Sequence, residues 1–260
     1  MPAAVTPFDA EGGVDSPGVV RLLAYFKAEG ATGVVVGGTN GEGPSLTGFE
    51  RRDLVRLAVA HALGLPVWLG VATTALEEAL WLAREAHKAG AAGVLLMPPF
   101  FHRALDPTPW LRAFLDRTSA DAILYHFPRF APSLLDAAPA LVEHPRFVGL
   151  KDSSGEAENL THFARVLPGK RLYVGDETLL GPALAAGWTG TISGAANSLC
   201  RELAGVLADE GESRAVKLEL LVPQLREVRA APQPMGHKRT LVERGVLDRA
   251  DVRLPLADAL

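Results

Sequence analysis

Phe147-Val148-Gly149-Leu150-Lys151-Asp152-Ser153-Ser154-Gly155 runs four mostly apolar residues straight into a lysine and then turns. A run this short and apolar on both faces reads as a buried parallel strand covered by helices. Lys151 then stands at its C-terminal end. In a barrel of alternating strands and helices, catalytic groups gather at that end of the strands. A lysine held in a low-dielectric pocket loses its proton more easily and can attack a carbonyl to form a Schiff base.

Working outward, strands and helices alternate along the chain. Pro2–Pro7, Gly33–Thr39, Pro66–Ala72, Gly93–Met97, Ala122–Tyr125, Phe147–Lys151, Arg171–Gly175 and Thr189–Ser193 read as eight strands. Between them, Ser16 is placed to cap a helix from Pro17 to about Glu29, with Gly30 ending it. Thr47 with Glu50, and Thr74 with Glu77, have capping-box spacing. Helices are also expected over Pro109–Arg117, Ser133–Glu143, Glu156–Val166 and Thr178–Ala186.

Eight such units with short joints predict an α/β fold of the (β/α)₈ TIM-barrel type over residues 1–198. From Leu199 to Gly245 only helical periodicity is left, interrupted by Pro223, Pro232 and Pro234. Residues 199–260 are therefore expected to supply the last barrel helix and a C-terminal helical segment, which could support an oligomer. The rival fold, an open doubly wound sheet, carries a Gly-rich phosphate turn after its first strand. Here the first strand leads into Thr6-Pro7-Phe8-Asp9, which is no such turn.

The 260 residues are 48% hydrophobic and 22% charged, which suits one large globular domain. The net charge of −4 comes without a basic block or a basic–aromatic stripe, so a nucleic-acid partner is not expected. The single Cys200 rules out an internal disulfide framework and fits a reducing compartment. No apolar run reaches the length of about 20 residues that spans a membrane. The N-terminus lacks the basic-then-apolar pattern of a secretory signal. A soluble, cytoplasmic protein is expected.

Strand direction sorts the polar residues into barrel mouth and barrel floor. Of the six lysines, Lys27 and Lys88 end helices, Lys170 precedes a strand, and Lys217 and Lys238 lie in the helical tail. Only Lys151 follows a strand. Its plain structural reading is a strand-end lysine reaching back to water. Of the three tyrosines, Tyr125 alone ends a strand, next to Lys151 if strand order follows the chain. A phenol there can move protons for a Schiff-base reaction, or it can simply pack.

After the second strand comes Gly37-Gly38-Thr39-Asn40-Gly41-Glu42-Gly43. Its glycines allow close approach of a ligand, and successive N–H groups in such a turn can hold an anion. A substrate carboxylate is the natural guest, with Thr39 and Asn40 as added donors. Thr73, Asp152, Asp176, Glu177 and Ser193 also follow strands, though most could equally cap helices. His126 is a further pocket candidate. No metal-ligand spacing, nucleophile elbow or P-loop appears, so neither a metal nor another cofactor is expected.

Thr6-Pro7-Phe8, GGTNGE at 37–42, Tyr125-His126-Phe127-Pro128 and GLKDSSG at 149–155 together resemble the dihydrodipicolinate synthase / N-acetylneuraminate lyase family. The likeness extends to Val174-Gly175-Asp176-Glu177, Thr191-Ile192-Ser193-Gly194 and Arg253-Leu254-Pro255-Leu256. The resemblance implies a (β/α)₈ barrel, usually tetrameric, and a class I mechanism on a 2-oxo acid such as pyruvate. It implies that Lys151 forms the Schiff base and that Tyr125 is the acid/base. It assigns the carboxylate to Thr39, Asn40 and the amides around Gly38, and sets Ile192 against the pyruvoyl group.

The sequence departs from the family's synthases in three places. Those enzymes place threonine where Asn40 stands, a tyrosine lent by a neighbouring subunit where Phe101 stands, and arginine where Phe130 stands. Arg129 is one residue away and is the candidate replacement. GLKDSSG and GDETLLGPALAAG at 175–187 look more like the sugar-acid aldolases of the family. The expectation is therefore a Schiff-base lyase cleaving a 2-keto-3-deoxy sugar acid, working as a homo-oligomer without a membrane partner. The alternatives are 4-hydroxy-tetrahydrodipicolinate synthase, a keto-deoxy acid dehydratase, or an inactive barrel serving as a small-molecule sensor.

Overall fold

A computed structural model describes residues 1–102 and 104–256. It has an α/β architecture. Seven strands form one sheet in chain order, β1 (Val34–Val36), β2 (Val67–Ala72), β3 (Gly93–Met97), β4 (Ala122–His126), β5 (Phe147–Asp152), β6 (Arg171–Val174) and β7 (Gly190–Thr191). The pairs from β2–β3 to β6–β7 are all parallel. Parallel neighbours need a crossover between them, and helices supply it. The chain divides into two compact units, Met1–Val67 with the chain from Ser193 onward, and Trp68–Ile192.

In the second unit, α3 (Leu76–Ala89), α4 (Thr108–Arg117), the short α5 (Ala137–Ala140), α6 (Glu158–Val166) and α7 (Leu180–Ala185) follow their strands. Every residue of β3 and β4 is buried, as the continuous apolar runs require. Leu82, Phe114 and Phe163 on the helices are completely covered, as are Leu96 and Ile123 on the strands. Each such side chain contributes about 1.5–3 kcal/mol by leaving water.

The β4–β5 ladder shifts register by one residue near its start. Ala122 pairs with Phe147, but Ile123 pairs with Gly149, so Val148 has no partner in the ladder. From there the register is regular and sets Tyr125 beside Lys151 and His126 beside Asp152. Gly149 is needed at this point, because a Cβ there would lie 2.4 Å from the Arg171 carbonyl oxygen on the next strand.

In the first unit, α1 (Ser16–Ala28) and α2 (Gly48–His61) precede and follow β1, and α8 (Cys200–Ala208), α9 (Gly211–Ala230) and α10 (Met235–Glu243) form the C-terminal part. The expected first strand, Pro2–Pro7, is reduced to single bridges of Pro2 to Ser193 and Ala3 to Val35. The segment is nonetheless bonded on both sides. Ala3 N–H donates to the Ser193 carbonyl at 2.8 Å and Ala4 N–H to that of Val35 at 2.9 Å. Pro2 has no N–H of its own to extend the ladder.

Several boundaries differ from expectation for local reasons. Asp15, not Ser16, caps α1 by accepting the Gly18 N–H at 3.0 Å. The Thr47–Glu50 capping box is present. The Thr74–Glu77 box is not: Thr73 donates to Glu78 at 2.6 Å instead, and the residue before α3 is Ala75. The helix expected over Ser133–Glu143 shrinks to α5, which contains Pro139 and its missing N–H. In contrast, α9 continues through Pro223.

Candidate active site

Tyr125 in β4, Lys151 in β5 and Tyr173 in β6 are paired residues of adjacent strands and form one rung of the second unit's sheet. Lys151 is 3% exposed and Tyr125 5%. The Lys151 Nζ lies 4.2 Å from the centre of the Tyr125 ring. The ring face is electron-rich and attracts a cationic head group, which keeps the lysine's end beside the phenol. Burial raises the Tyr173 hydroxyl above its ordinary pKa, partly offset by Arg171.

A glycine makes room for this lysine. A Cβ on Gly175 would meet the Lys151 Cε at 2.9 Å and the Ser153 Oγ at 1.9 Å. The Gly175 N–H also donates to the Asp152 carbonyl at 2.6 Å, so this backbone is fixed close against the lysine-bearing strand. The sequence places Gly175 in the Val174–Glu177 stretch at a strand end, but no local pattern ties it to Lys151.

The next rung, His126 with Asp152, faces the helices, because successive strand residues point to opposite sides. The His126 ring meets Phe163 of α6 edge-on, with centroids 5.4 Å apart. Its Nδ1 accepts the Leu134 N–H at 3.0 Å, which assigns the proton to Nε2, 4.0 Å from the Asp152 Oδ1. Burial lowers the His126 pKa, the Asp152 carboxylate raises it, and His162 lowers it further. Asp152 accepts from the Ser154 N–H at 2.8 Å and hydroxyl at 2.9 Å, and so shapes the turn after Lys151. His126 therefore supports the strand from behind and does not share the rung of Tyr125.

Two rings connect Arg129 to Tyr125. Tyr125 stacks on Phe127 with centroids 5.5 Å apart, Phe127 takes the edge of Phe130 at 4.9 Å, and the Arg129 guanidinium lies 5.5 Å from the Phe130 ring centre. Phe130 is 50% exposed and Phe101 79%. Ile192 is fully buried, and its N–H donates to the Val174 carbonyl at 3.2 Å. Thr73 and Asp176 are occupied by local turns, Thr73 with Glu78 and Asp176 with Thr178.

Gly38, Thr39 and Asn40 lie together in the first unit, on the turn that follows β1. The turn is compact. A Cβ on Gly43 would lie 2.0 Å from the Gly37 carbonyl oxygen, and one on Gly41 would lie 2.8 Å from that of Ala4. The Gly43 N–H donates to the Gly38 carbonyl at 2.9 Å, and the Thr6 hydroxyl to that of Gly41 at 2.6 Å. The Asn40 amide lies over Gly194, where a Cβ would come within 2.7 Å of its Nδ2.

Sequence reasoning missed the far side of this turn. Glu42, in a left-handed conformation at φ 54°, accepts from the Lys238 Nζ at 2.6 Å, and neither side chain has any exposure. The pair joins residues 196 positions apart, so no local pattern announces it. Among the described residues, no three His, Cys, Asp or Glu side chains gather as a metal site. None of their helices is long and apolar enough to cross a membrane.

The chain matches the profile of the dihydrodipicolinate synthetase family over residues 1–259. A 4-hydroxy-tetrahydrodipicolinate synthase of Chlamydia pneumoniae is 32% identical over 263 residues, covering 99% of this chain and 89% of the relative. One from Azoarcus sp. (strain BH72) is 32% identical over 265 residues, covering 98% and 90%. Among solved structures, a dihydrodipicolinate synthase of Bacillus anthracis superposes with a TM-score of 0.91 at 28% identity, covering 98% of this chain and 90% of that one. The Acinetobacter baumannii synthase, solved in complex with pyruvate, gives 0.91 at 25% identity, covering 98% and 90%.

Proposed function

The chain belongs to the dihydrodipicolinate synthetase family, whose members are class I aldolases and lyases acting through a Schiff base, and on that premise we propose that Lys151 forms this Schiff base with a 2-oxo acid such as pyruvate. The observation that carries the reading is the buried lysine whose Nζ lies over the Tyr125 ring. The amine attacks the C2 carbonyl, and water leaves as the iminium forms. The iminium is an electron sink, so the C3–C4 bond can form or break beside it. Tyr125 moves the proton at the C4 oxygen. The carboxylate is assigned to Thr39, Asn40 and the amides around Gly38, a reading supported by the packed glycine turn they share. Ile192 is assigned to the pyruvoyl group. Arg129, laid on Phe130, is assigned to a charged acceptor.

For the acceptor, the names of the relatives favour the condensation that yields 4-hydroxy-tetrahydrodipicolinate. This replaces the sugar-acid reading of the sequence as the leading one. Cleavage of a 2-keto-3-deoxy sugar acid is kept second because of Phe101 and Phe130, both exposed and neither able to bind a carboxylate or pass a proton. Nothing in the geometry or the comparisons supports an inactive sensor. A closed (β/α)₈ barrel with a C-terminal helical extension is the fold that goes with this reading, supported by the two-sided bonding of Met1–Ala4. A homo-oligomer belongs to the same proposal.

Borohydride reduction in the presence of pyruvate should add the pyruvyl mass to Lys151. An unlabelled wild type would end this reading. Parallel assays of 4-hydroxy-tetrahydrodipicolinate formation and of pyruvate release from 2-keto-3-deoxy acids then decide the acceptor.

A further inference from the structure

The turn that carries Thr39 and Asn40 ends on a residue with nowhere to move. Glu42 is buried, and each of its carboxylate oxygens has its own partner. Oε1 accepts from the Lys238 Nζ at 2.6 Å, and Oε2 from the Arg253 backbone N–H at 2.8 Å. The Lys238 Nζ also donates to the Asp251 carbonyl at 2.6 Å and sits 4.3 Å from the centre of the Phe8 ring. Arg253 lies over the same ring at 4.5 Å. Its guanidinium donates to the Gly12 carbonyl at 2.6 Å, to that of Ser45 at 3.2 Å and to the Glu50 carboxylate at 2.6 Å. Ser45 closes the short helical turn Gly43–Ser45, and Glu50 is the capping-box residue of α2. From α10 onward, the C-terminal segment is thus bonded to both ends of the stretch after Asn40.

A buried ion pair is a poor way to gain stability, because the cost of removing two charges from water nearly cancels their attraction. What it does supply is geometry, since each charge accepts partners only in fixed directions. We infer that Glu42, Lys238 and Arg253 are positioning residues that hold the Gly37–Gly43 turn in the shape that receives the substrate's carboxylate, so that the C-terminal segment acts on substrate affinity through the turn. The inference rests on the proposed role of Thr39 and Asn40. Lys238 itself is no second nucleophile. Its nitrogen is engaged by a carboxylate, a carbonyl and a ring face.

The test is borohydride trapping titrated with pyruvate and with its uncharged amide, on the parent and on two variants. One is the double substitution Glu42→Leu/Lys238→Met, which replaces the pair by apolar groups and avoids a lone buried charge. The other is Arg253→Met. Both variants should need on the order of tenfold more pyruvate for half-maximal labelling, with the labelling at saturation and the requirement for the amide little changed. A purely structural role would lower the labelled fraction for both ketones and leave half-saturation alone, and that result would overturn the inference. So would an equal rise for both ketones, or a parent that binds the amide as well as the acid. In that last case the Schiff-base reading survives. An unlabelled parent would remove both together.

Discussion

Lys151 and Tyr125 are direct partners in the β4–β5 ladder, and the lysine nitrogen lies over the face of the phenol ring and not at its edge. This arrangement separates two jobs. The ring holds the amine, and on the proposed mechanism the hydroxyl at its rim handles the proton of a bound substrate.

Tyr125→Phe keeps the ring face and removes only the hydroxyl. Pyruvate should still be trapped on Lys151, while kcat for the full reaction falls by about 10²–10⁴. Lys151→Ala should abolish both. Mass spectrometry after reduction, alongside steady-state kinetics, checks the pair. A Tyr125→Phe enzyme with parental kcat would remove the phenol from the mechanism.

Gly175→Ala puts a methyl group where the Lys151 Cε and the Ser153 hydroxyl already are. Overpacking of this kind costs about 1–3 kcal/mol. The variant should fold, with a urea midpoint only modestly lowered, yet form the Schiff base at least about tenfold more slowly because the lysine is displaced. A trapping rate equal to that of the parent would show that the lysine does not need this space.

Lys238→Met alone strands the Glu42 carboxylate in the interior and should lower stability by about 3–5 kcal/mol. Removing both charges with Glu42→Leu/Lys238→Met should return most of that loss, to within about 2 kcal/mol of the parent. Urea unfolding of the parent and these two variants measures the difference. A double variant no better than the single one would mean that the two residues matter for reasons other than their pairing.

His237 is buried, its Nδ1 sits 3.0 Å from the Ser198 hydroxyl, and burial pushes its pKa down from 6.5 to about 4. Between those values the unfolded chain takes up a proton that the folded one refuses. Stability should therefore hold above pH 6.5 and decline as the pH falls through 4, by up to about 3 kcal/mol from this group. His237→Gln should flatten that part of the profile. Urea midpoints at pH 7, 5.5 and 4 compare the two proteins.

Much of this was legible in the sequence because the signals are local. The runs at Gly93–Met97 and Phe147–Lys151 are apolar on both faces and stop at turns, which marks both strands. Lys151 and Tyr125 stand out as candidates by their place at strand ends. What escaped was non-local or a matter of side-chain aim. Pro2–Pro7 looks extended, but only single bridges form there. His126 neighbours Tyr125 in the chain and faces the helices in the fold. Lys238 looked like any cation of a helical tail, since its partner lies at the other end of the chain. Thr74 does not cap α3, because Ala75 stands at the cap position and makes no side-chain hydrogen bond there.

The unpaired Val148 decides which side chains meet two turns of the pleat later. Counting on from Ala122 and Phe147 with Val148 taken into the pairing, the phenol would find Leu150 alongside, and the amine would stand next to the His126 imidazole. Excising Val148 would instead remove the slip and keep Tyr125 paired with Lys151, because Gly149 already partners Ile123. The pairing of phenol and amine thus depends on an offset of one between neighbouring strands, and any redesign that brought Val148 into the ladder would undo it.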